Sequence, residues 1–155
     1  MAILFMDLDG FKTINDSFGH EAGDDLLVAA AERLGRCLRP EDTLARFGGD
    51  EFVVLLEEVE GSDEPVRVAE RITRELGESF VLGGNEVYVG ASIGVAMGGE
   101  RTKKPGDLLR DADTAMYRAK EEGSGYSVFD PAMHDQALGR LELERQLPEE
   151  TAANA

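Results

Sequence analysis

A chain of 155 residues with 32 acidic against 16 basic side chains, a formal net charge of −16, is sized for one globular domain around a single core. That field disfavours nucleic-acid polymers and anionic membrane surfaces, while a small phosphate ligand can still bind where metal ions and a few placed cations offset it. No apolar run approaches the ~20 residues that span a bilayer. The opening Met-Ala-Ile-Leu-Phe-Met has no basic start, and a lone cysteine forms no internal disulfide, so a cytoplasmic setting without membrane insertion is expected.

Residues 2–8, Ala-Ile-Leu-Phe-Met-Asp-Leu, predict a buried strand ending in acid at Asp7-Leu8-Asp9-Gly10. Phe11 to Phe18 predicts a short helix with Phe11, Ile14 and Phe18 on one face, stopped at Gly19. A longer helix is expected from about Glu21 to Leu38, with Leu26, Leu27, Ala30 and Leu34 as its inward stripe and Pro40 beyond its end. Cys37 falls on the apolar side of that helix and reads as a buried structural thiol.

Two β-like runs, Asp42 to Phe47 and Phe52 to Glu57, meet at Arg46-Phe47-Gly48-Gly49-Asp50-Glu51-Phe52. The two glycines predict a hairpin turn with positive φ, and Phe52 to Leu56 is apolar enough for a buried central strand. A third helix is expected from Ser62 or Asp63, with Val66, Ala69, Ile72 and Leu76 facing the core and Arg67, Arg71 and Arg74 on the other side. Gly83-Gly84-Asn85 predicts a turn, residues 86–97 one or two strands, Asp107 to Glu122 a fourth helix closed by Gly123, and Tyr126 to Phe129 a last strand. Residues 132–147 predict a helix with Leu138, Leu141 and Leu147 on one side, and Pro148 to Ala155 a disordered tail. The expected class is therefore α+β: a mixed central sheet flanked by helices, with a ferredoxin-like core.

Residue chemistry leaves several choices open. If the first strand and the hairpin are neighbours, Asp7, Asp50 and Glu51 converge, and a divalent metal resolves their repulsion; the alternative is solvated acids beside an ordinary glycine turn. Lys120, near a helix C-terminus, serves either the macrodipole or a terminal phosphate. Arg39 and Asp42 read first as a local salt bridge, and Asn15 and Asp24 as turn residues or as partners for a purine edge. His20, beside Gly19, reads as a turn residue and is assigned no role.

Taken together, Asp7-Leu8-Asp9-x-Phe11-Lys12-x-Ile14-Asn15-Asp16-x-Phe18-Gly19-His20, Gly23-Asp24 and Arg46-Phe47-Gly48-Gly49-Asp50-Glu51-Phe52 resemble the GGDEF family of diguanylate cyclases. The later Ala91-Ser92-Ile93-Gly94-Val95-Ala96 and Ala112-Asp113-x-Ala115-Met116-Tyr117-x-Ala119-Lys120 resemble it too, so the likeness runs from residue 2 to about 130. It implies a fold related to the palm of nucleotide cyclases and polymerases. It also implies the condensation of two GTP into cyclic di-GMP and pyrophosphate by a homodimer, each domain bringing one GTP. By this likeness Asp7, Asp50 and the Leu8 carbonyl hold magnesium or manganese. Glu51 supports the metal or takes a proton, Gly48 and Gly49 admit the nucleotide, Asn15 and Asp24 read guanine with Phe11 beside them, and Lys120 binds phosphates. Arg39, Asp42 and Arg71, with Arg67 as a weaker candidate, match a product-inhibition site for cyclic di-GMP. Guanidinium groups suit its phosphates and guanine faces.

Two departures accompany the likeness. Ser124 stands where the family carries a phosphate-contacting arginine, a loss of about 1.5–3 kcal/mol if that contact is charged. The family's leading helix and loop do not precede Ala2, so residues 1–130 are expected to be a GGDEF domain cut from a larger protein with upstream sensory input. Residues 131–155 are then a connector helix and tail of the kind that leads to an EAL phosphodiesterase domain. The alternative function is a weak or inactive nucleotide-binding module that steers a neighbouring domain.

Overall fold

The computed structural model describes residues 1–98, 104–130 and 133; the helix and tail predicted after Pro131 otherwise lie outside the described residues. In chain order the elements are β1 (Ala2–Leu8), α1 (Phe11–Phe18), α2 (His20–Arg36), β2 (Thr43–Gly48), β3 (Glu51–Leu56) and α3 (Asp63–Gly77). Then follow β4 (Phe80–Leu82), β5 (Asn85–Val87), β6 (Ala91–Met97), α4 (Pro105–Glu122) and β7 (Tyr126–Val128). Five strands form one sheet in the order β2-β3-β1-β6-β7, and β4 pairs with β5 in a separate hairpin. The sheet is mixed: β1 is antiparallel to β3 and β6, whereas β7 runs parallel to β6.

β1 is central, and every one of its residues is buried, which explains its unbroken apolar run. Alternation along the strand sends its side chains to two cores. Ala2, Leu4, Met6 and Leu8 join Phe52, Val54, Ile93 and Val95 beneath α1, α2 and α3. Ile3 and Phe5 meet Leu108, Ala112 and Met116 of α4 on the opposite face. Leu26, Leu27, Ala30 and Leu34 of α2 are buried as the 3.6-residue period requires, and Cys37 is buried at its end. Burial, with the Glu75 charge, raises the Cys37 thiol above its ordinary pKa despite Arg71 and Arg36, so it stays an unreactive thiol.

α4 lies directly on β6. A Cβ on Gly94 would stand 1.8 Å from the Ala112 carbonyl oxygen and 2.2 Å from the Met116 amide nitrogen, so only glycine lets the two backbones approach this closely. Elsewhere Arg33 of α2 joins three elements. Its guanidinium donates to the carbonyls of Glu75 (3.0 Å), Glu78 (2.8 Å) and Ser79, satisfying the open end of α3, and stacks 3.6 Å from the centre of the Phe80 ring.

Three expectations change. Gly48 and Gly49 do not take positive φ; a bulge between Arg46 and Gly48 turns the chain instead. Phe18 is 45% exposed, because an eight-residue helix has barely two turns and only Ile14, in its middle, is buried. The apolar stripe of α3 runs through Pro65, Val68, Ala69, Ile72 and Leu76, leaving Val66 half-buried on its flank. Among the described residues no helix is long and apolar enough to cross a membrane.

Candidate active site

The carboxyl end of β1 carries a dense charge cluster. Asp7 follows Ile3 and Phe5 on the α4 face, and its register partners are Glu51 on β3 and Ser92 on β6. The Leu8 amide donates to the Asp50 carbonyl at 3.1 Å, which ties the hairpin acid to the same strand end. On that same face Lys120 of α4 places its ammonium 2.5 Å from Asp7 Oδ2. The predicted meeting of Asp7, Asp50 and Glu51 thus occurs, with Lys120 among them.

The cluster is short of positive charge. Asp7 is only 8% exposed, and its Oδ1 is buried without a hydrogen-bond partner among the described residues. Burial works against the Lys120 ammonium, yet its bond to Asp7 and the charges of Asp9 and Asp50 outweigh this and raise its pKa. Burial also raises Glu51, and the charges of Asp113, Asp50 and Asp7 add to it against a smaller pull from Lys120. Asp9 is raised by burial first and by Asp7 and Asp50, even though the Ser92 hydroxyl donates to it at 2.9 Å. Among the described residues no three His, Cys, Asp or Glu side chains close into a metal cage. The unsatisfied Asp7 oxygen and its acidic neighbours are a donor set that fits a hard cation drawing its other ligands from water or phosphate.

The glycines beside this cluster provide room. A Cβ on Gly48 would fall 2.6 Å from Glu51 Oε1, so the glycine leaves space for that carboxylate. Arg46 steadies the turn: its Nε and Nη2 donate to the Gly49 carbonyl at 3.1 and 2.9 Å. Phe47 packs edge-on against Phe5, with ring centres 5.6 Å apart.

Asn15 of α1 and Asp24 of α2 flank the corner between the two helices, and α1 leaves the same end of β1 through Gly10 at φ +80°. The Asn15 side chain lies over Gly23, where a Cβ would stand 1.8 Å from its Oδ1, and Asp24 follows on the exposed side. Phe11, one turn before Asn15, is half-buried against the larger core.

A second charged cleft, about 50 Å³ in volume, is lined by Cys37, Arg39, Asp42, Glu64, Arg67, Val68 and Arg71. It unites the Arg-x-x-Asp residues with the α3 arginines. The local Arg39–Asp42 salt bridge does not form. Asp42 accepts instead from the Arg39 backbone amide at 2.9 Å, while the Arg39 guanidinium pairs with Glu64 at 3.2 Å. Arg71 donates to the Cys37 carbonyl at 3.0 Å, holding the end of α2. Ser124 serves the turn after α4: its amide donates to Ala119 and its hydroxyl to the Tyr126 carbonyl at 3.1 Å.

Sequence reading assigned no role to Asp9, Arg46, Ser92 or Asp113, although all four stand inside the motifs quoted for the likeness, and it passed over Glu64. Ser92 and Glu64 act through partners distant in sequence.

A family profile described as "Diguanylate cyclase, GGDEF domain" matches residues 1–125. The bifunctional diguanylate cyclase/cyclic di-GMP phosphodiesterase MucR of Pseudomonas aeruginosa is 43% identical over 145 residues, which are 92% of this chain and 21% of MucR. The cyclic di-GMP phosphodiesterase PdeR of Escherichia coli is 39% identical over 148 residues, 95% of this chain and 22% of PdeR. The chain therefore spans about a fifth of the length of these curated relatives. A solved GGDEF domain of TpbB (YfiN) from Pseudomonas aeruginosa superposes with a TM-score of 0.84 at 39% identity, over 88% of this chain and 81% of that one. The mixed sheet, the acids at the end of β1 and a match across most of the described chain converge: this chain belongs to the GGDEF family of diguanylate cyclase domains.

Proposed function

We propose that the domain condenses two GTP molecules into cyclic di-GMP, releasing pyrophosphate at each of two steps. The observation that carries this reading is the buried, unpartnered Asp7 Oδ1 beside Asp50 and Glu51. Asp7, Asp50 and the Leu8 carbonyl are the proposed ligands of magnesium or manganese. When bound, the ion would supply positive charge to the attacked α-phosphate and its leaving group. The rest falls to the chain. Lys120 exchanges its bond to Asp7 for one to the terminal phosphates, and Gly48 and Gly49 leave space for the triphosphate. Asn15 and Asp24 hydrogen-bond the guanine edge, with Phe11 packed behind them.

In each step the 3′-hydroxyl oxygen of one GTP bonds to the α-phosphorus of the other while the bond to pyrophosphate breaks. Glu51, the register partner of Asp7 and next to Asp50, either supports the ion or accepts the hydroxyl proton. Two such domains must face each other, because each chain has one guanine corner and one acidic cluster. Asp42 and the arginines Arg39 and Arg71 form the proposed product-inhibition site. The cytoplasm is the proposed setting, with sensor or EAL domains fused in the whole protein.

Purified protein incubated with GTP and magnesium should form cyclic di-GMP, at a rate rising faster than linearly with protein concentration until the dimer saturates. Absence of product at high concentration from a folded sample overturns the reading. Gly23→Ala tests the guanine corner. Its new methyl group must push the Asn15 amide aside, which a side-chain rotation accommodates. The KM for GTP should therefore rise about tenfold with little change in melting temperature.

A second reading, a nucleotide-binding module without turnover, is favoured by Ser124 at a phosphate-binding position. Calorimetry separates the two: tight nucleotide binding without product supports the module.

A further inference from the structure

The cleft between the end of α2 and the start of α3 contains one charged residue that neither the likeness nor the proposed function assigns. Glu64 is the second residue of α3, is 9% exposed, and is held at both oxygens. Its Oε2 accepts the Glu60 backbone amide at 2.6 Å, and its Oε1 lies 3.2 Å from Nη1 of Arg39. The backbone bond fixes the carboxylate where it stands. Arg39 is the movable member of the pair, with 64% of its side chain exposed.

We infer that Glu64 sets the affinity of this cleft for a cyclic dinucleotide by acting as an internal competitor for Arg39. The inference rests on the reading of the cleft as the product site. A ligand carrying two phosphates must draw the Arg39 guanidinium from Glu64 and then lie near a carboxylate that cannot retreat. Both effects oppose binding. A role in orienting Arg39 for the ligand is the opposite possibility. It is disfavoured by the contact itself, one 3.2 Å approach to a largely exposed side chain rather than a paired fork. Glu64 therefore raises the product concentration at which the cleft fills, and the two acids in it, Glu64 and Asp42, have different tasks. Asp42 holds the Arg39 backbone, and Glu64 restrains its charge.

Glu64→Gln is the direct test. Its amide oxygen can still accept the Glu60 amide, while the charge facing Arg39 disappears. Calorimetric titration of the full chain with cyclic di-GMP should give about fivefold tighter binding than the parent, and the product concentration for half-inhibition should fall by a similar factor. The ratio between variant and parent should shrink at high salt, as a charge effect does and a change of shape does not. Should Glu64→Gln fail to fold, Glu64→Ser, which removes the charge at a helix start, replaces it in the same comparison. Equal or weaker binding by the folded variant overturns the inference while leaving the product site in place. A folded parent that does not bind cyclic di-GMP overturns the product site itself and this inference with it.

Discussion

Asp7→Asn is expected to lower cyclic di-GMP formation by roughly a thousandfold or more, equivalent to about 4 kcal/mol in the barrier. The substitution keeps the shape of the side chain and removes its charge. In the parent, one oxygen of Asp7 meets Lys120 and the other is buried with no partner among the described residues. Asparagine offers one oxygen where the carboxylate offers two, and it brings an NH2 group toward Lys120. The ion proposed for this site would then be held less tightly, and Lys120 loses its counter-ion. Folding should survive. Lys120 is 45% exposed and can turn to solvent, so the broken pair should remove only about 1 kcal/mol of stability. An assay over a range of magnesium and manganese concentrations, paired with a melting curve, checks both halves. Activity within tenfold of the parent at the same metal requirement would rule out Asp7 as the principal anchor of the site.

The second large effect concerns stability. Gly94→Ala should destabilise the fold by about 3 kcal/mol or more, measured by urea unfolding. The atoms its methyl group would strike belong to the α4 backbone, at 1.8 Å and 2.2 Å, and no rotamer change moves them aside. α4 would have to lift from β6. Because α4 also carries Lys120 to Asp7, the surviving folded fraction should show impaired phosphate binding as well. Gly35→Ala provides the contrast. That glycine lies near the end of α2 with nothing within 4 Å of an added Cβ, so alanine should be neutral or stabilising by up to about 1 kcal/mol. A loss at Gly94 no larger than that difference would mean that the helix and strand are not locked in contact.

Much of this architecture was legible in periodicity. The buried stripe of α2, the apolar run of β1 up to Asp7 and the boundaries of α1 follow from spacing and from glycine and proline punctuation, because those features are local. The convergence of Asp7 with Asp50 and Glu51 was legible only conditionally, since it required β1 and β3 to be neighbours. The hairpin glycines show the limit. Their identity suggested left-handed backbone, whereas a bulge makes the turn and Gly48 is small because the Glu51 carboxylate fills the space. β4 was missed because a three-residue strand has too few positions to reveal a period, and Arg33, far away in sequence, is what fastens its Phe80. Glu64 belongs to no motif in the sequence, and its pairing with Arg39 spans a turn, a hairpin and a loop.

The central place of β1 has a further consequence, for the order in which the molecule is made. Within the sheet, β1 precedes all of its partners in the chain, yet it is the strand that needs neighbours on both sides and cover on both faces. Its neighbour β6 ends at Met97, and its lower cover, α4, ends at Glu122. Until then an unbroken apolar segment stays exposed, and pairings this distant close slowly. The same delay protects the chemistry. Asp7 and Lys120 are separated by 113 positions, so an incomplete chain can contain the acids but not the cation that completes their cluster. The Asp7–Lys120 pair therefore closes only when almost all of the described chain has been synthesised.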